Sequence, residues 1–220
     1  MKDSYIKKCI LIPSGGINSL EALEGTDSWR WGMDYTGGDL YEAEELYNDG
    51  HEIKSNRLIF VSYPEGDVYE PVKASNGQYL GRPVWSEGRA YCILVDFKKR
   101  KIQILSIRED MSGSELVKEI DLSEVKDCYN LMLDTEPLTL VRQGHENDFQ
   151  VVWPEKGEFT ISNTESFYFR DGDRMIFSKW YEDPYYREET VIRAYPSGEV
   201  LEEIKCAVLR MTDGQKWMLE

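Results

Sequence analysis

The stretch Val191 to Ile204, VIRAYPSGEVLEEI, decides the fold. Val191, Ile192, Ala194 and Tyr195 suit a pleated, half-buried surface, and Val200, Leu201 and Ile204 can carry the chain back. Between them, Pro196 presets a negative φ and Gly198 accepts the left-handed conformation without steric cost. The segment predicts a β-hairpin, in which Gly198→Val is more damaging than Gly214→Val.

Related loops recur along the chain at Pro13-Ser14-Gly15, Pro64-Glu65-Gly66, Met111-Ser112-Gly113 and Pro154-Glu155-Lys156-Gly157, each between apolar runs. The marker glycines 15, 66, 113, 157 and 198 are spaced 51, 47, 44 and 41 residues apart. That spacing is a loose period of the length of propeller blades. A second series of turns falls between the first: Thr36 to Asp39, Ser86 to Arg89, Asp134 to Pro137, Arg170 to Asp173 and Thr212 to Gln215. Two interleaved series predict units of four strands.

The units are 27–72, 78–120, 126–162, 164–204, and 205–220 together with 7–23. In the first, Leu40 to Tyr47 is assigned to a strand on the strength of the repeat. Asp39 and Glu42 nevertheless imitate a capping box, and Leu40, Ala43, Leu46 and Tyr47 share a helical face. In the second, Lys101 to Ile107 carries apolar groups on both faces, as expected of a sheet packed between neighbours. The last unit lacks two strands of its own. The N-terminal pair, Cys9 to Ile12 and Ile17 to Leu23, is expected to complete it, which would close a ring and remove its exposed edges.

The run PVWSEGRAYCILVDF (83–97) followed by KIQILSI (101–107) resembles the inner strands of a blade in the β-propeller superfamily, as in WD40-like, TolB-like and bacterial lectin-like repeats. The resemblance implies an all-β chain forming a five-bladed propeller of four-stranded antiparallel blades, with the last blade closed by N-terminal strands. No Trp-Asp dipeptide closes any unit, so the resemblance carries architecture and no functional residue. A β-sandwich of two antiparallel sheets is the alternative.

A chain of 220 residues with 41% hydrophobic and 12% aromatic residues can bury a core as a single domain, and no Ser/Pro-rich linker divides it. The net charge of −15 argues against nucleic acid, whose affinity comes from clustered Lys and Arg. The one cationic run, Lys98 to Lys101, reads as a solvated turn. Cys9, Cys92, Cys128 and Cys206 lie far apart with no C-x-x-C pair, which favours free thiols and a cytoplasmic location. The N-terminal apolar run is too short for a signal peptide or a membrane span.

Chemistry is scarce. His51 and His145 are the only histidines, which leaves little material for a catalytic triad or a multi-histidine metal site, and no cofactor or metal is expected. Asp171-Gly172-Asp173 lacks the further oxygens of a calcium loop, and Gly15-Gly16 and Gly37-Gly38 lack the Lys-Ser/Thr of a phosphate loop. Asp27, Asp127 and Glu165 enter the first strands of three units. They are candidate catalytic carboxylates around a channel mouth, or solvated loop charges. Trp29, Trp31 and Tyr35 in one unit, and Trp180, Tyr181, Tyr185 and Tyr186 in another, exceed what small blades need for packing; alternate members can fill the core, and Trp29, Trp31, Tyr35, Tyr181, Tyr185 and Tyr186 are the candidate binding residues. Two functions follow: a non-catalytic binding or scaffold protein presenting loops to a protein or glycan partner, or a glycoside hydrolase using the channel carboxylates.

Overall fold

The computed structural model of the protein describes residues 10–35, 38–211 and 215–219. Among the described residues the fold is all-β with one α-helix, built as antiparallel sheets whose strands follow largely in sequence order. The first sheet holds β1 (Glu21–Ala22), β2 (Trp29–Met33), β3 (Leu58–Ser62) and β4 (Val68–Tyr69), with helix α1 (Leu40–Asn48) inserted between β2 and β3. The second holds β5 (Gln78–Leu80), β6 (Val84–Ser86), β7 (Arg89–Asp96), β8 (Lys101–Ile107) and β9 (Ser114–Asp121), where β5 and β6 both pair with β7. The third is β10 (Leu131–Thr135), β11 (Leu138–Gln143), β12 (Asp148–Trp153) and β13 (Gly157–Thr160). The fourth is β14 (Glu165–Asp171), β15 (Arg174–Tyr181), β16 (Arg187–Ala194) and β17 (Val200–Ile204). A hairpin of β18 (Ala207–Arg210) and β19 (Lys216–Leu219) follows.

The diagnostic hairpin is β16–β17. Thr190, Val191 and Ile192 face Ile204, Glu203 and Glu202, and a bulge then sets Arg193 opposite Val200. Gly198 has φ +76°, as the Pro196-Ser197-Gly198 loop requires. Any side chain there would also run into the Phe159 ring on β13. In all four sheets the first series of turns joins the last two strands. The turns at 86–89, 134–137 and 171–173 join β6 to β7, β10 to β11 and β14 to β15. Thr36, Gly37 and the 212–214 turn, including Gly214, lie outside the described residues.

Neighbouring sheets interlock through alternate faces of their strands. Trp31, Met33, Leu58 and Phe60 of the first sheet pack with Cys92, Leu94, Leu105 and Ile107 of the second. The opposite face of the second sheet, Ile93, Val95, Ile102 and Ile104, packs with Leu131, Leu133, Leu140 and Val152 of the third and with Leu40 and Ala43 of α1. Val141, Phe149 and Val151 then meet Met175, Phe177 and Val191 of the fourth sheet, whose other face presents Phe169, Ile176 and Ile192 to Val208 of the terminal hairpin. Each such side chain contributes roughly 1.5–3 kcal/mol on burial. Because the second, third and fourth sheets bury both faces, the architecture is not a sandwich of two sheets, in which each would keep one face in water.

Two expectations are corrected. Residues 40–47 belong to a helix, not a strand. Asp39 accepts from the backbone N–H groups of Tyr41 and Glu42, both at 2.9 Å, while the Glu42 carboxylate accepts from Asp39 N–H at 2.7 Å. This complete capping box, with Leu40 and Ala43 driven into the core, outweighs the repeat. Second, the N-terminal pair does not complete the last sheet. Within Ile17 to Leu23 the only strand is β1, which pairs with β2, and residues 10–12 form no strand; Cys9 lies outside the described residues. Ile12 and Ile17 instead cover Ile59 and Val61 on the outer face of the first sheet. Apolar cover there, not a ladder, fixes the N-terminal segment. No helix among the described residues is long and apolar enough to cross a membrane.

Candidate ligand-binding site

Asp127 and Glu165 are each held by a buried arginine, and the three candidate carboxylates do not share a cavity. Asp127, in the loop before β10, accepts from Arg142 Nε at 2.8 Å and from Tyr129 N–H at 2.8 Å. Arg142 projects from β11, is buried, and also donates to Asp148 at 2.6 Å, while Lys126 sits 3.1 Å from Asp148. The neighbouring Cys128 N–H donates to Glu44 at 2.6 Å, which pins α1 to the third sheet. Burial raises the Glu44 carboxyl above its ordinary value. Glu165, at the start of β14, is buried against Arg193, whose Nη2 lies at 2.8 Å and whose Nη1 donates to Gly198 O at 2.8 Å. These are fold-holding ion pairs, in which removing one partner strands a buried charge at a cost of roughly 3–5 kcal/mol. Asp27 stands exposed in the β1–β2 loop.

The arrangement that can hold a ligand lies where the sheets converge. A cavity of about 260 Å³ is lined by residues of all four sheets and of the terminal hairpin: Glu21 from β1, Trp85 from β6, Asp134 from β10, Tyr168 from β14 and Arg210 from β18, with Trp31 behind. We call this the central cavity. A second, of about 230 Å³, opens beside the N-terminus of α1 and is walled by Tyr35, Asp39, Tyr41, Tyr79 and Asn130. Arg82 and Met132 line both, so the two are contiguous.

The central cavity has one unusual carboxyl. Asp134 ends β10 and is buried; it accepts from Arg170 N–H, and its Oδ1 lies 3.9 Å from Arg210 Nη1. Burial pushes its pKa up to about 6. Arg210 also donates to Glu136 at 2.9 Å and Thr135 Oγ1 at 3.0 Å, and its backbone N–H donates to the Tyr168 hydroxyl at 3.0 Å. The terminal hairpin thus supplies one wall of the cavity and is tied to the third and fourth sheets through that wall.

The structure separates the six candidate aromatics. Trp31 and Tyr35 line the central and helix-side cavities respectively. Trp29 packs edge-on against Tyr69 at 5.7 Å. Tyr181 lies under the Arg187 guanidinium at 4.0 Å, and Tyr185 and Tyr186 project from the β15–β16 loop, lining neither cavity. Sequence reasoning missed Arg82, Asp134, Tyr168 and Arg210. Trp85 falls in the PVWSEG run, whose blade-like pattern points to the fold and not to a site.

No protein-family model matches this sequence, and no curated protein matches it.

Proposed function

We propose that this chain is a non-catalytic binding protein whose sheets are the blades of a five-bladed propeller, and that its partner is a glycan seated in the central cavity. The convergence of β1, β6, β10, β14 and β18, one strand from each of the four sheets and the terminal hairpin, on one aromatic-walled cavity carries this reading, because propellers place their inner strands around a common axis. Trp85 and Tyr168 offer apolar ring surface, while Glu21, Glu24, Asp134 and Arg210 offer hydrogen-bonding groups, the mixture that recognises sugar rings. The pairing of Asp127 and Glu165 with buried arginines speaks against them as acid and base.

The test is titration of the full chain with neutral and acidic oligosaccharides, followed by calorimetry and tryptophan fluorescence. Trp85→Ala should weaken binding about tenfold, a loss of 1.4 kcal/mol. Absence of any glycan signal would redirect the reading to a protein partner. One observation favours hydrolysis as a second reading: Asp134, with its raised pKa, lies in the same cavity as Glu21 and Glu24. Release of the aglycone from aryl glycosides, lost in Asp134→Asn, would establish it.

A further inference from the structure

We infer that the helix-side cavity is an acidic-sugar subsite, in which Arg82 receives the carboxylate of a uronic acid residue and the ring lies against Tyr35 and Tyr41. The inference rests on the glycan reading above and adds the class of sugar.

Arg82 owes its position to the corner between β5 and β6. Gly81 N–H donates to Ile93 O at 2.9 Å, and an added Cβ on Gly81 would meet Ile93 Cγ1 at 2.5 Å, so only glycine lets the chain pass so close to β7. Pro83 follows and has no N–H for a ladder. The chain therefore breaks between the two short strands and leaves the Arg82 side chain exposed on the wall common to both cavities.

Two other polar groups of the helix-side cavity are committed. Asp39 is spent on the N–H groups that open α1, and Tyr79 donates its hydroxyl to Gly38 O at 2.5 Å. Seven arginines of this acidic chain hold a carboxylate: Arg57, Arg89, Arg108, Arg142, Arg187, Arg193 and Arg210. Arg82, like Arg30, Arg100, Arg170 and Arg174, has none within ion-pair distance among the described residues, and it alone of these lines the helix-side cavity, in a sequence with 41 acidic side chains to 26 basic ones. The planar fork of a guanidinium matches a carboxylate in two parallel hydrogen bonds. A single arginine with no lysine beside it suits a monoanion better than a phosphate. The volume, below the roughly 300 Å³ at which drug-sized sites begin, suits one ring. Beyond Met132 the central cavity continues with Trp31 and Trp85 for the residues that follow.

The experiment is calorimetric titration of the full chain with methyl glucuronoside, methyl glucoside, a matched pair of uronate-ended and neutral disaccharides, and inorganic phosphate. The uronates should bind at least tenfold more tightly than their neutral partners. In Arg82→Gln, with an unchanged melting profile, that advantage should vanish, and Arg82→Lys should restore part of it. Neutral sugars that bind in a Trp85-dependent way, with no preference for uronate, would overturn the subsite and leave the glycan reading standing. Phosphate that competes as well as uronate would overturn the sugar class. No binding by any sugar would overturn both.

Discussion

The junction between the third and fourth sheets and the junction between the fourth sheet and the terminal hairpin join the same kind of element by different physics. The first is a cluster of aromatic rings, Phe149, Phe159, Phe167 and Phe177, with centroids 5.1 to 6.2 Å apart, set among buried Val141, Val151, Met175 and Val191. The second places partly buried Val208 on Phe169, Ile176 and Ile192, and adds the charge pair Lys216 to Asp171 at 2.6 Å, while Arg210 of the same hairpin reaches to Glu136 of the third sheet. The outer side of this hairpin, with Leu209, Trp217 and Leu219, is exposed, and Trp217 keeps 51% of its surface in solvent. Burial of apolar area makes one junction part of the global fold, whereas pairs that are partly solvated contribute at most about 1 kcal/mol each and weaken with salt.

The contrast is tested most severely by truncation. Phe177→Ala should cost about 3–5 kcal/mol, seen as a large fall in the urea midpoint, and Val208→Ala about 1 kcal/mol. Equal losses would abolish the distinction between the two junctions.

A smaller effect sharpens the first junction at its rim. Gly198→Val must hold a β-branched residue at φ +76° and push into Phe159, for a loss of about 3 kcal/mol. Gly172→Val meets the same kind of backbone strain at φ +61° but has open space around it, so about half that loss is expected. Matching midpoints for the two variants would mean that the ring contact contributes nothing.

The smallest effect belongs to the contact between the terminal hairpin and the third sheet, where Arg210 faces Asp134, and depends on pH. Burial raises Asp134 from 3.8 to about 6, so the folded state holds its proton more tightly than the unfolded chain does. The stabilisation from this group is complete below pH 3.8 and disappears as the pH rises through 6. At about 1.4 kcal/mol per unit the change is on the order of 2–3 kcal/mol. Asp134→Asn should flatten this segment of the stability profile. A variant with the same slope between pH 4 and 6 as the parent protein would assign the titration elsewhere.

Much of the fold was legible because strand alternation and turn chemistry are local. The strands of the third and fourth sheets and both strands of the terminal hairpin fall close to where the turns place them. The failures have physical causes. At 40–48 the sequence carries the helix signal, Asp39 with Glu42, and that local cap prevails over the strand that the repeat predicts. β1 is only Glu21-Ala22, both exposed, and has no apolar pattern to read. The site was the least legible. Asp134 looks like a turn residue because it precedes Thr135-Glu136-Pro137, and its raised pKa arises from burial under elements distant in sequence, with Arg170 and Arg210, 36 and 76 positions away, acting against the shift. Asp127 and Glu165 were recognised as acids entering first strands, but the arginines that hold them project from β11 and β16, a relation that no local pattern reveals.

The cysteines give the structure a built-in clock. Cys92 is enclosed between the first two sheets, with its thiol pushed up to about 12 by burial, Cys128 is buried where α1 meets the third sheet, and Cys206 is buried where the chain leaves the fourth sheet for the hairpin. A thiolate must form and meet solvent before an alkylating reagent can capture it. Each sulfur therefore reports the opening of its own surroundings. The order in which the three are modified under native conditions is a record of which part of the chain comes apart first.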